Sequence, residues 1–463
     1  MPPAKPLLTA RRRRQPPLYG ADRGLRRQIK WQIKRHLITW TFTQTIDNME
    51  IDMDINVANK AAHNVADGVL DRGESTAMMD PVRLAEDSRF RPELLELAFD
   101  LVGKAAGFQR SLPPAVSSSL ADLVRSMNCY YSNLIEGHNT HPIDIERALK
   151  GDFSGNAKKR NLQLEAKAHI EVQRWIDNGG LKGNATTRNG ICEIHRRFCT
   201  ALPKDLLWVE DPETHKRLPV VPGEFRHDMV AVGRHIPVSP GAIPRFMERF
   251  ENAYTGLNKV ESVLESAAAH HRLAWIHPFI DGNGRVARLM SHATLLEALD
   301  SGALWSVARG LSRSVATYKE LLANCDLPRR NDLDGRGALS EEALVEFTRF
   351  FLKTCIDQVE FMESLIKPDG LRARIQRWVE EESLSPKTGQ LLDAILYRGE
   401  VPRGEVASML GISPRSGRDI VSSLIERGVL TSDTAYGALR ILFPAKLANR
   451  WMPDLFPEVK EPS

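Results

Sequence analysis

The sequence is poor in cysteine and contains no long apolar run. Its cysteines are Cys129, Cys192, Cys199, Cys325 and Cys355, an odd number without a C-x-x-C pair, which argues against a disulfide framework. No stretch of eighteen apolar residues could span a membrane. No apolar segment follows the N-terminal arginines, as a secretory signal would require. These absences favour a reduced, cytoplasmic compartment and no contact with a membrane.

The remaining composition is that of an ordinary globular protein with unevenly distributed charge. A length of 463 residues, with 42% hydrophobic and 26% charged residues, predicts about three domains. Residues 1–48 contain eleven Lys or Arg against Asp22 and Asp47, so this basic arm carries +9 and the rest of the chain −5. The arm could bind nucleic acid or anionic lipid, act as an organellar transit peptide, or result from a start codon placed too far upstream. We favour the third explanation, with Met49 or Met53 as the start, because no clean amphipathic pattern is present.

Residues 277–288 lie between two helical patterns and contain the groups needed for chemistry at phosphorus. His277 stands where the first helix should end and can accept a proton near neutral pH. Asp281 supplies a hard oxygen ligand that suits magnesium bound to phosphate. The turn that follows consists of Gly282, Asn283 and Gly284. Such a turn opening into a helix presents free backbone N–H groups to an anion.

Arg285 and Arg288 complete the same stretch. They are three residues apart, so they share a helical face and add two fork-shaped donors for phosphate. Each feature alone has an ordinary structural explanation as a turn, a solvated helix face or a satisfied histidine. Their occurrence within twelve positions predicts a base, a metal ligand and a phosphate clamp in one site.

The stretch resembles the signature of the Fic family, His-x-Phe-x-Asp/Glu-Gly-Asn-Gly-Arg-x-x-Arg, at each defining position. The resemblance implies a protein adenylyltransferase, a nucleotidyltransferase that moves AMP from ATP to a Ser, Thr or Tyr hydroxyl of a target protein. It also implies that His277 is the base and that Asp281 binds Mg²⁺. The loop backbone would hold the α- and β-phosphates, and Arg285 and Arg288 would neutralise the departing pyrophosphate.

A second pair of residues resembles the inhibitory motif of the same family, Ser/Thr-x-x-x-Glu-Gly/Asn. Ser132 and Glu136 are four apart near the end of a predicted helix that Gly137 should stop. The resemblance implies that Glu136 pairs with Arg288 and inhibits transfer. Its place before the core suggests a member that carries the inhibitory helix in its own chain.

The segment before the motif contains a predicted hairpin. Val230, Val232 and Ile236 alternate with other residues, and Gly233 offers a turn. This hairpin resembles the Fic flap, whose edge binds the target main chain by strand addition. The tip that would lie near the nucleotide consists of Val232, Gly233, Arg234 and His235.

Three further residues have weaker claims to function. Tyr318 falls where the family tends to place an aromatic residue against adenine, although aromatics at helical spacing are more often core. His270 and His271 precede the motif histidine without a zinc-binding spacing, so we expect packing or solvent-facing roles for both.

Residues 371–445 resemble a winged helix-turn-helix. Three helical patterns are followed by two short strand patterns around Ala435-Tyr436-Gly437. Arg415, Ser416 and Arg418 fall in the first turns of the third helix, where a DNA reader contacts bases. Such modules also serve in docking or dimerisation, so DNA binding and protein docking stay open alternatives, as does a homodimer.

The predicted fold is therefore all-α, a mainly helical Fic-type bundle with a small β-hairpin flap, followed by a winged helix-turn-helix. The predicted segments are the basic arm 1–48, a helical region with the inhibitory helix 49–160, the catalytic core 161–370, the winged helix 371–445 and a tail 446–463. Two alternatives to AMP transfer remain at this stage. One is AMP removal, or transfer from another nucleotide, at the same site. The other is a DNA-binding regulator whose helical core acts as a sensor.

Overall fold

A computed structural model of the protein describes residues 69–211 and 215–456, and the fold is mostly helical, as predicted. The basic arm 1–48 lies outside the described residues. The helices up to residue 366 are α1 (Arg91–Arg110), α2 (Pro114–Ile135), α3 (Pro142–Leu149), α4 (Ala157–Asp177), α5 (Arg188–Thr200), α6 (Ile243–Tyr254), α7 (Lys259–Leu264), α8 (Ser266–Ile276), α9 (Asn283–Leu299), α10 (Val307–Arg313), α11 (Val315–Asn324) and α12 (Glu341–Ile366). Within the described ranges, no helix is long and apolar enough to cross a membrane.

The chain continues as a smaller group of helices and strands. These are α13 (Pro368–Glu381), α14 (Pro386–Arg398), α15 (Val406–Leu410), α16 (Pro414–Glu426) and α17 (Ala445–Trp451), with β3 (Leu430–Thr431) and β4 (Arg440–Ile441) between the last two helices. The earlier strands, β1 (Trp208–Glu210) and β2 (Arg217–Pro219), precede α6.

Helix α9 is the centre of the bundle. It packs against α8, α7, α5 and α4, and it buries polar as well as apolar side chains along much of its length. A helix buried on all sides shows little amphipathic contrast. Asn283 and Gly284 of the glycine turn are the first two residues of α9, so the buried position of α9 fixes that turn against the surrounding helices.

The strands differ in part from the prediction. A short antiparallel ladder pairs β1 with β2, with Val209 opposite Leu218, a ladder that the sequence pattern did not identify. The predicted hairpin at 230–236 is a tight turn closed by one bridge, in which Val232 and His235 exchange two backbone hydrogen bonds of 2.9 and 3.0 Å. Gly233 occupies this turn with φ of 62°, which glycine adopts readily.

The C-terminal elements follow the order expected for a winged helix. Helices α14, α15 and α16 are followed by the β3–β4 hairpin, where Leu430 pairs with Ile441. Ser413 caps α16 by accepting a hydrogen bond from the backbone N–H of Ser416, and Pro414 occupies the first turn of the helix. The name winged helix stays a prediction, because element order alone does not establish a homologous fold.

Three predicted segment boundaries fall within helices. Position 160 lies inside α4, and position 370 lies inside α13, which begins at Pro368. The predicted tail from 446 onward contains α17 and a buried continuation, and its apolar side chains Trp451, Met452, Leu455 and Phe456 are 0–5% exposed. We call residues 445–456 the C-terminal strap.

The strap contacts the helix that carries Ser132. Tyr131 donates a hydrogen bond of 3.0 Å from its hydroxyl to the carbonyl of Leu455, and the ring of Phe456 lies edge-on to Tyr130 with centroids 5.8 Å apart. Arg309 donates to the carbonyl of Asp454 at 2.7 Å. The strap therefore packs against α2 next to the predicted inhibitory motif, although more than 300 residues separate the two along the chain.

We expect Leu455→Ala to destabilise the protein because Leu455 is fully buried. The loss of a buried leucine side chain and the cavity it leaves should lower the free energy of unfolding by about 2–5 kcal/mol. Urea denaturation measures the change. Leu333→Ala is the control, because Leu333 is 76% exposed and its truncation should change stability by no more than about 0.5 kcal/mol. Equal effects of the two substitutions would contradict the buried position of the strap.

Candidate active site

His277 ends α8 in a left-handed backbone conformation, with φ of 51° and ψ of 62°. Its ring Nδ1 lies 3.2 Å from the carbonyl oxygen of Ala274. A carbonyl can only accept, so Nδ1 carries the proton and Nε2 keeps its lone pair. Burial, with the nearby charge of Arg226, lowers the pKa of His277 to about 4. The side chain is therefore neutral near pH 7 and can act as a base through Nε2.

The loop after His277 is held by side chains beneath it. Asn283 accepts a hydrogen bond from the backbone N–H of Phe279 at 3.0 Å and donates one to its carbonyl at 2.8 Å. Phe279 is fully buried and stacks on the ring of His195 with centroids 3.9 Å apart. Gly282 starts α9 with φ of 82°, a conformation that favours glycine. The Asn283 side chain thus closes the loop and leaves the backbone at the start of α9 as the predicted anion-binding element.

Arg288 is almost fully buried and binds two residues of α2. It donates to the hydroxyl of Ser132 at 2.8 Å and to the Ser132 carbonyl at 3.2 Å. It also donates to Oε1 of Glu136 at 2.5 Å. The same oxygen would lie 2.5 Å from a Cβ added at Gly284. The carboxylate therefore sits over the first turn of α9, where backbone N–H groups would receive an anion.

The charge of Glu136 is strongly favoured in this position. Burial would raise the pKa of its carboxyl group, but the guanidinium groups of Arg288 and Arg285 outweigh that effect and lower the pKa to about 2. Charge-assisted hydrogen bonds of this kind are short and directional. Glu136 is therefore an anion in the predicted phosphate site across the physiological pH range.

Arg285 lies beside Arg288 in a different setting. Its guanidinium is 3.6 Å from a carboxylate oxygen of Glu165 and 5.0 Å from the ring centre of Phe198. These contacts hold its side chain against α4 and α5. The two arginines are thus both buried, as an anion clamp requires, and each is held by its own neighbours.

Asp281 is exposed at the mouth of the site. Its carboxylate makes no hydrogen bond or ion pair with any residue in 69–211 or 215–456, so both oxygens are available. In those ranges no group of three or more acidic, histidine or cysteine side chains could hold a metal alone. A single carboxylate fits magnesium, because this ion commonly binds one or two protein carboxylates and completes its shell with phosphate oxygens and water.

The histidines and tyrosine with weaker claims lie in the core. Tyr318 is 4% exposed, and its hydroxyl is 2.8 Å from Nε2 of His270. The adenine contact of Tyr318 stays a prediction that this buried position does not support. His270 also contacts Ser291 at 2.9 Å, and His271 contacts Asp326 at 2.9 Å. Both histidines are packing residues, as expected.

Four residues of the flap turn, 232–235, were predicted to lie near the nucleotide. Of these, His235 is the one that contacts the helix leading into the motif. His235 Nε2 donates to the carbonyl of Trp275, the penultimate residue of α8, at 2.7 Å. Val232 is 40% exposed at the other end of the bridge, and Arg234 is also exposed. These positions leave the predicted nucleotide contacts of the flap as proposals.

Sequence reasoning missed two residues that hold the site together. His195 accepts a hydrogen bond from the backbone N–H of Gly223 at 2.9 Å while it supports Phe279. Arg226 donates to the carbonyl of His277 at 2.8 Å. Both lie more than 50 residues before the motif, and no local spacing connects them to it.

Comparison with known proteins supports the resemblance over part of the chain. The model of the Fic/DOC family matches residues 185–295, which extend from α5 through the motif loop and most of α9. Over these residues the chain is similar to the Fic/DOC family, which confirms the resemblance predicted from the motif.

Two relatives illustrate the likeness. The chain is 41% identical over 171 residues to the protein adenylyltransferase Fic of Drosophila grimshawi, a match that covers 36% of this chain and 32% of that protein. It is 40% identical over 198 residues to the protein of the same name from Drosophila ananassae, covering 41% and 37%. The chain thus spans about a third of the length of the curated relatives it matches.

Solved structures with detectable similarity also carry the family name. A Fic family protein from Desulfovibrio desulfuricans G20 matches with a TM-score of 0.46 and 15% identity, covering 78% of this chain and 98% of that one. Fic-1 (aa134–508) from C. elegans matches with a TM-score of 0.43 and 17% identity, covering 60% and 73%.

The lowered pKa of Glu136 predicts a specific pH dependence of stability. A carboxyl group whose pKa falls from 4.5 to about 2 on folding contributes stability that is complete above pH 4.5 and is lost as the pH falls toward 2. The difference in Tm between wild type and Glu136→Gln should therefore be constant above pH 4.5 and shrink below it.

Thermal denaturation across this pH range tests the prediction. Glu360→Gln is the control, because Glu360 pairs with Lys104 on the surface and exposed pairs contribute about 0–1 kcal/mol. A Tm difference for Glu136→Gln that stays unchanged down to about pH 2.5 would show that the carboxylate is not held by the arginines.

Proposed function

We propose that the protein is an adenylyltransferase that moves AMP from ATP to a Ser, Thr or Tyr hydroxyl of a target protein. The observation that carries the proposal is the Glu136 carboxylate bound to Arg288 over Gly284. An anion at this place marks the start of α9 as an anion site. The neutral His277 at the end of α8 and the free carboxylate of Asp281 supply the remaining groups for transfer at phosphorus.

In the proposed reaction, the oxygen of the target hydroxyl attacks the α-phosphorus of ATP, and His277 Nε2 accepts the proton of that hydroxyl. The new O–P bond forms while the bond from the α-phosphorus to the bridging oxygen breaks, and pyrophosphate leaves. Arg285 and Arg288 stabilise the negative charge of the leaving group, and the backbone at Gly282 to Gly284 holds the phosphates. Transfers at phosphorus depend mainly on positioning and charge stabilisation of this kind.

Asp281 would hold a magnesium ion in this reaction. The ion, when bound, neutralises phosphate charge and orients the phosphate oxygens. The exposed, unpaired carboxylate of Asp281 supports this role, because magnesium needs a ligand that is free to face the phosphates.

Glu136 would keep the enzyme inactive. While Arg288 binds Glu136, it cannot bind a phosphate of ATP, and the carboxylate also repels phosphate from the first turn of α9. ATP bound under these conditions would have a misaligned α-phosphate. A displacement of about 1 Å can lower a rate on the order of a hundredfold.

A rival reaction uses the same residues in a different way. Glu136 could orient a water molecule toward a modified side chain, so that the protein removes AMP. Transfer from another nucleotide is a further variant. The second class of function, a DNA-binding regulator with a sensor core, is less well supported, because a sensor would need neither a base at His277 nor a free carboxylate at Asp281.

The decisive substitution is Glu136→Gly in the full chain. Removing the carboxylate frees Arg288, so incorporation of label from α-labelled ATP into the protein itself and into lysate proteins should rise. Adding His277→Ala should return both signals to background, because loss of a general base lowers rates by about 10²–10⁴-fold. Glu136→Gln is the matched control, since it retains the shape but not the charge and should also activate.

The outcomes separate the two reactions. Unchanged or lower labelling of Glu136→Gly would contradict inhibition by this residue. Loss of AMP release from a pre-modified protein in Glu136→Gly would favour the removal reaction. If the Glu136→Gly protein incorporates as much label with His277→Ala as without it, His277 is not the base of the reaction.

We further propose that residues 371–445 bind DNA. Arg415 and Arg418 are exposed in the first turns of α16, and neither makes a hydrogen bond or an ion pair with the residues that the structure describes. Tyr436 is 92% exposed between β3 and β4, where a wing would extend. Free guanidinium groups at a helix start are the donors that read guanine in the major groove.

Substituting Arg415 or Arg418 with Ala should weaken a specific DNA complex by about 1–3 kcal/mol per lost base contact. A mobility-shift screen against DNA from the upstream region of its own coding sequence is the measurement. Lys387→Ala is the control, because Lys387 lies on α14 outside the proposed reading helix. No salt-sensitive binding to any sequence would leave a docking or dimerisation role for this module.

A further inference from the structure

Arg226 is a buried cation that binds four backbone sites around the motif loop. It is 3% exposed. Its Nε donates to the carbonyl of His277 at 2.8 Å, and its backbone N–H donates to the carbonyl of Pro278 at 2.9 Å. Its two terminal nitrogens donate to the carbonyls of Asp228 at 3.0 Å and Val238 at 2.6 Å.

These four contacts join two parts of the site. His277 and Pro278 belong to the motif loop, whereas Asp228 and Val238 lie on either side of the flap turn at 232–235. One planar guanidinium thus holds both ends of the flap to the backbone of the proposed base. The planar fork of arginine fits this geometry, whereas the point charge of lysine does not.

The position of His277 depends on such support. A non-glycine residue in the left-handed region is strained and persists where its surroundings hold it, and His277 has φ of 51°. The His277 N–H binds the Leu273 carbonyl at 3.1 Å, and its ring binds Ala274. Arg226 alone among the described residues fixes the His277 carbonyl through a side chain.

Arg226 also faces His277 as a charge. Within the described ranges its guanidinium forms no ion pair, and burial lowers its pKa to about 10. The charged or titratable groups that affect the His277 ring are Arg226, His235 and Asp281. Arg226 opposes protonation of the ring, whereas Asp281 favours it. A change at Arg226 should therefore alter the ring titration in a predictable direction.

We propose that Arg226 is a positioning residue for the transfer reaction: it fixes the backbone of His277 and ties both ends of the flap to it. The base and the strand-binding edge then stay at a fixed distance from each other. This inference rests on the proposed function for its kinetic consequence, but the geometry that it describes is independent of the reaction.

The test compares Arg226→Lys and Arg226→Gln in the activated Glu136→Gly background. Lysine keeps the charge and loses the fork, whereas glutamine loses both. Both variants should lower kcat for AMP transfer about a hundredfold, the loss expected from a displacement of roughly 1 Å. The KM for ATP should change by less than about threefold, because Arg226 contacts no phosphate-binding residue.

The pH profile separates charge from geometry. The acid limb of kcat reports the protonation of the base. Arg226→Gln removes a positive charge that faces His277, so the limb should move to higher pH, whereas Arg226→Lys should leave it near its original position. A change in stability alone would lower the amount of folded enzyme without this contrast between the two variants.

Arg272→Lys is the matched control. Arg272 is fully buried and also binds a backbone carbonyl, that of Pro81, with 3.1 and 2.7 Å from two nitrogens. Its substitution should lower Tm as much as Arg226→Lys without changing kcat per folded molecule. Equal loss of kcat in the two lysine variants, or an unchanged kcat in Arg226→Lys, would overturn the proposal.

The His277 ring provides a readout that needs no activity. NMR titration of the ring, assigned by the signal missing in His277→Ala, should show a higher pKa in Arg226→Gln than in the parent. If Glu136→Gly transfers no AMP, the proposed function fails. The titration still tests whether Arg226 is held against the His277 ring, as the positioning role requires. An unchanged ring titration in Arg226→Gln would overturn it.

Discussion

The structure of the site depends on the buried guanidinium of Arg288. A cation with so little exposure needs partners, because the cost of removing its charge from water is recovered only when its donors are satisfied. α2 provides these partners through the hydroxyl and carbonyl of Ser132 and the carboxylate of Glu136. The contact fixes α2 against α9 and places a carboxylate at the start of α9. One interaction thus determines both the packing of a helix and the state of the anion site.

The sequence predicted the parts of this arrangement whose residues lie close together in the chain. Helical spacing predicted the end of α2 closely, and Gly137 follows α2 with φ of 82°, as expected. The motif and the Ser132–Glu136 pair were found because each lies within a few residues. Arg226, His195 and the C-terminal strap were missed because their contacts join positions far apart in the chain. Such contacts have no periodic signal, so composition and spacing cannot reveal them.

The C-terminal strap packs against α2 next to the residue that binds Arg288. On one side α2 contacts Arg288 through Ser132, and one residue earlier Tyr131 binds the Leu455 carbonyl. Tyr131 also faces the guanidinium of Arg309, which in turn binds the Asp454 carbonyl. Because a packed helix moves as a rigid element, a shift of the strap that displaces Tyr131 would also displace Ser132. The C-terminal elements and the anion site therefore act on the same helix from different sides.

The buried arginines Arg226 and Arg288 differ in a way that matters for the proposed mechanism. Arg226 meets neutral carbonyls and is satisfied whether or not a ligand is bound. Arg288 meets a carboxylate, and because its own guanidinium is almost fully buried, loss of that partner leaves the arginine charge uncompensated. If Glu136 moved away, the guanidinium of Arg288 would lack an anionic acceptor. A phosphate group could take that place with several acceptor oxygens, while Arg226 would keep the proposed base in position. Exchange of one anion for another, with the surrounding cations fixed, is the simplest physical route from an inhibited site to an active one.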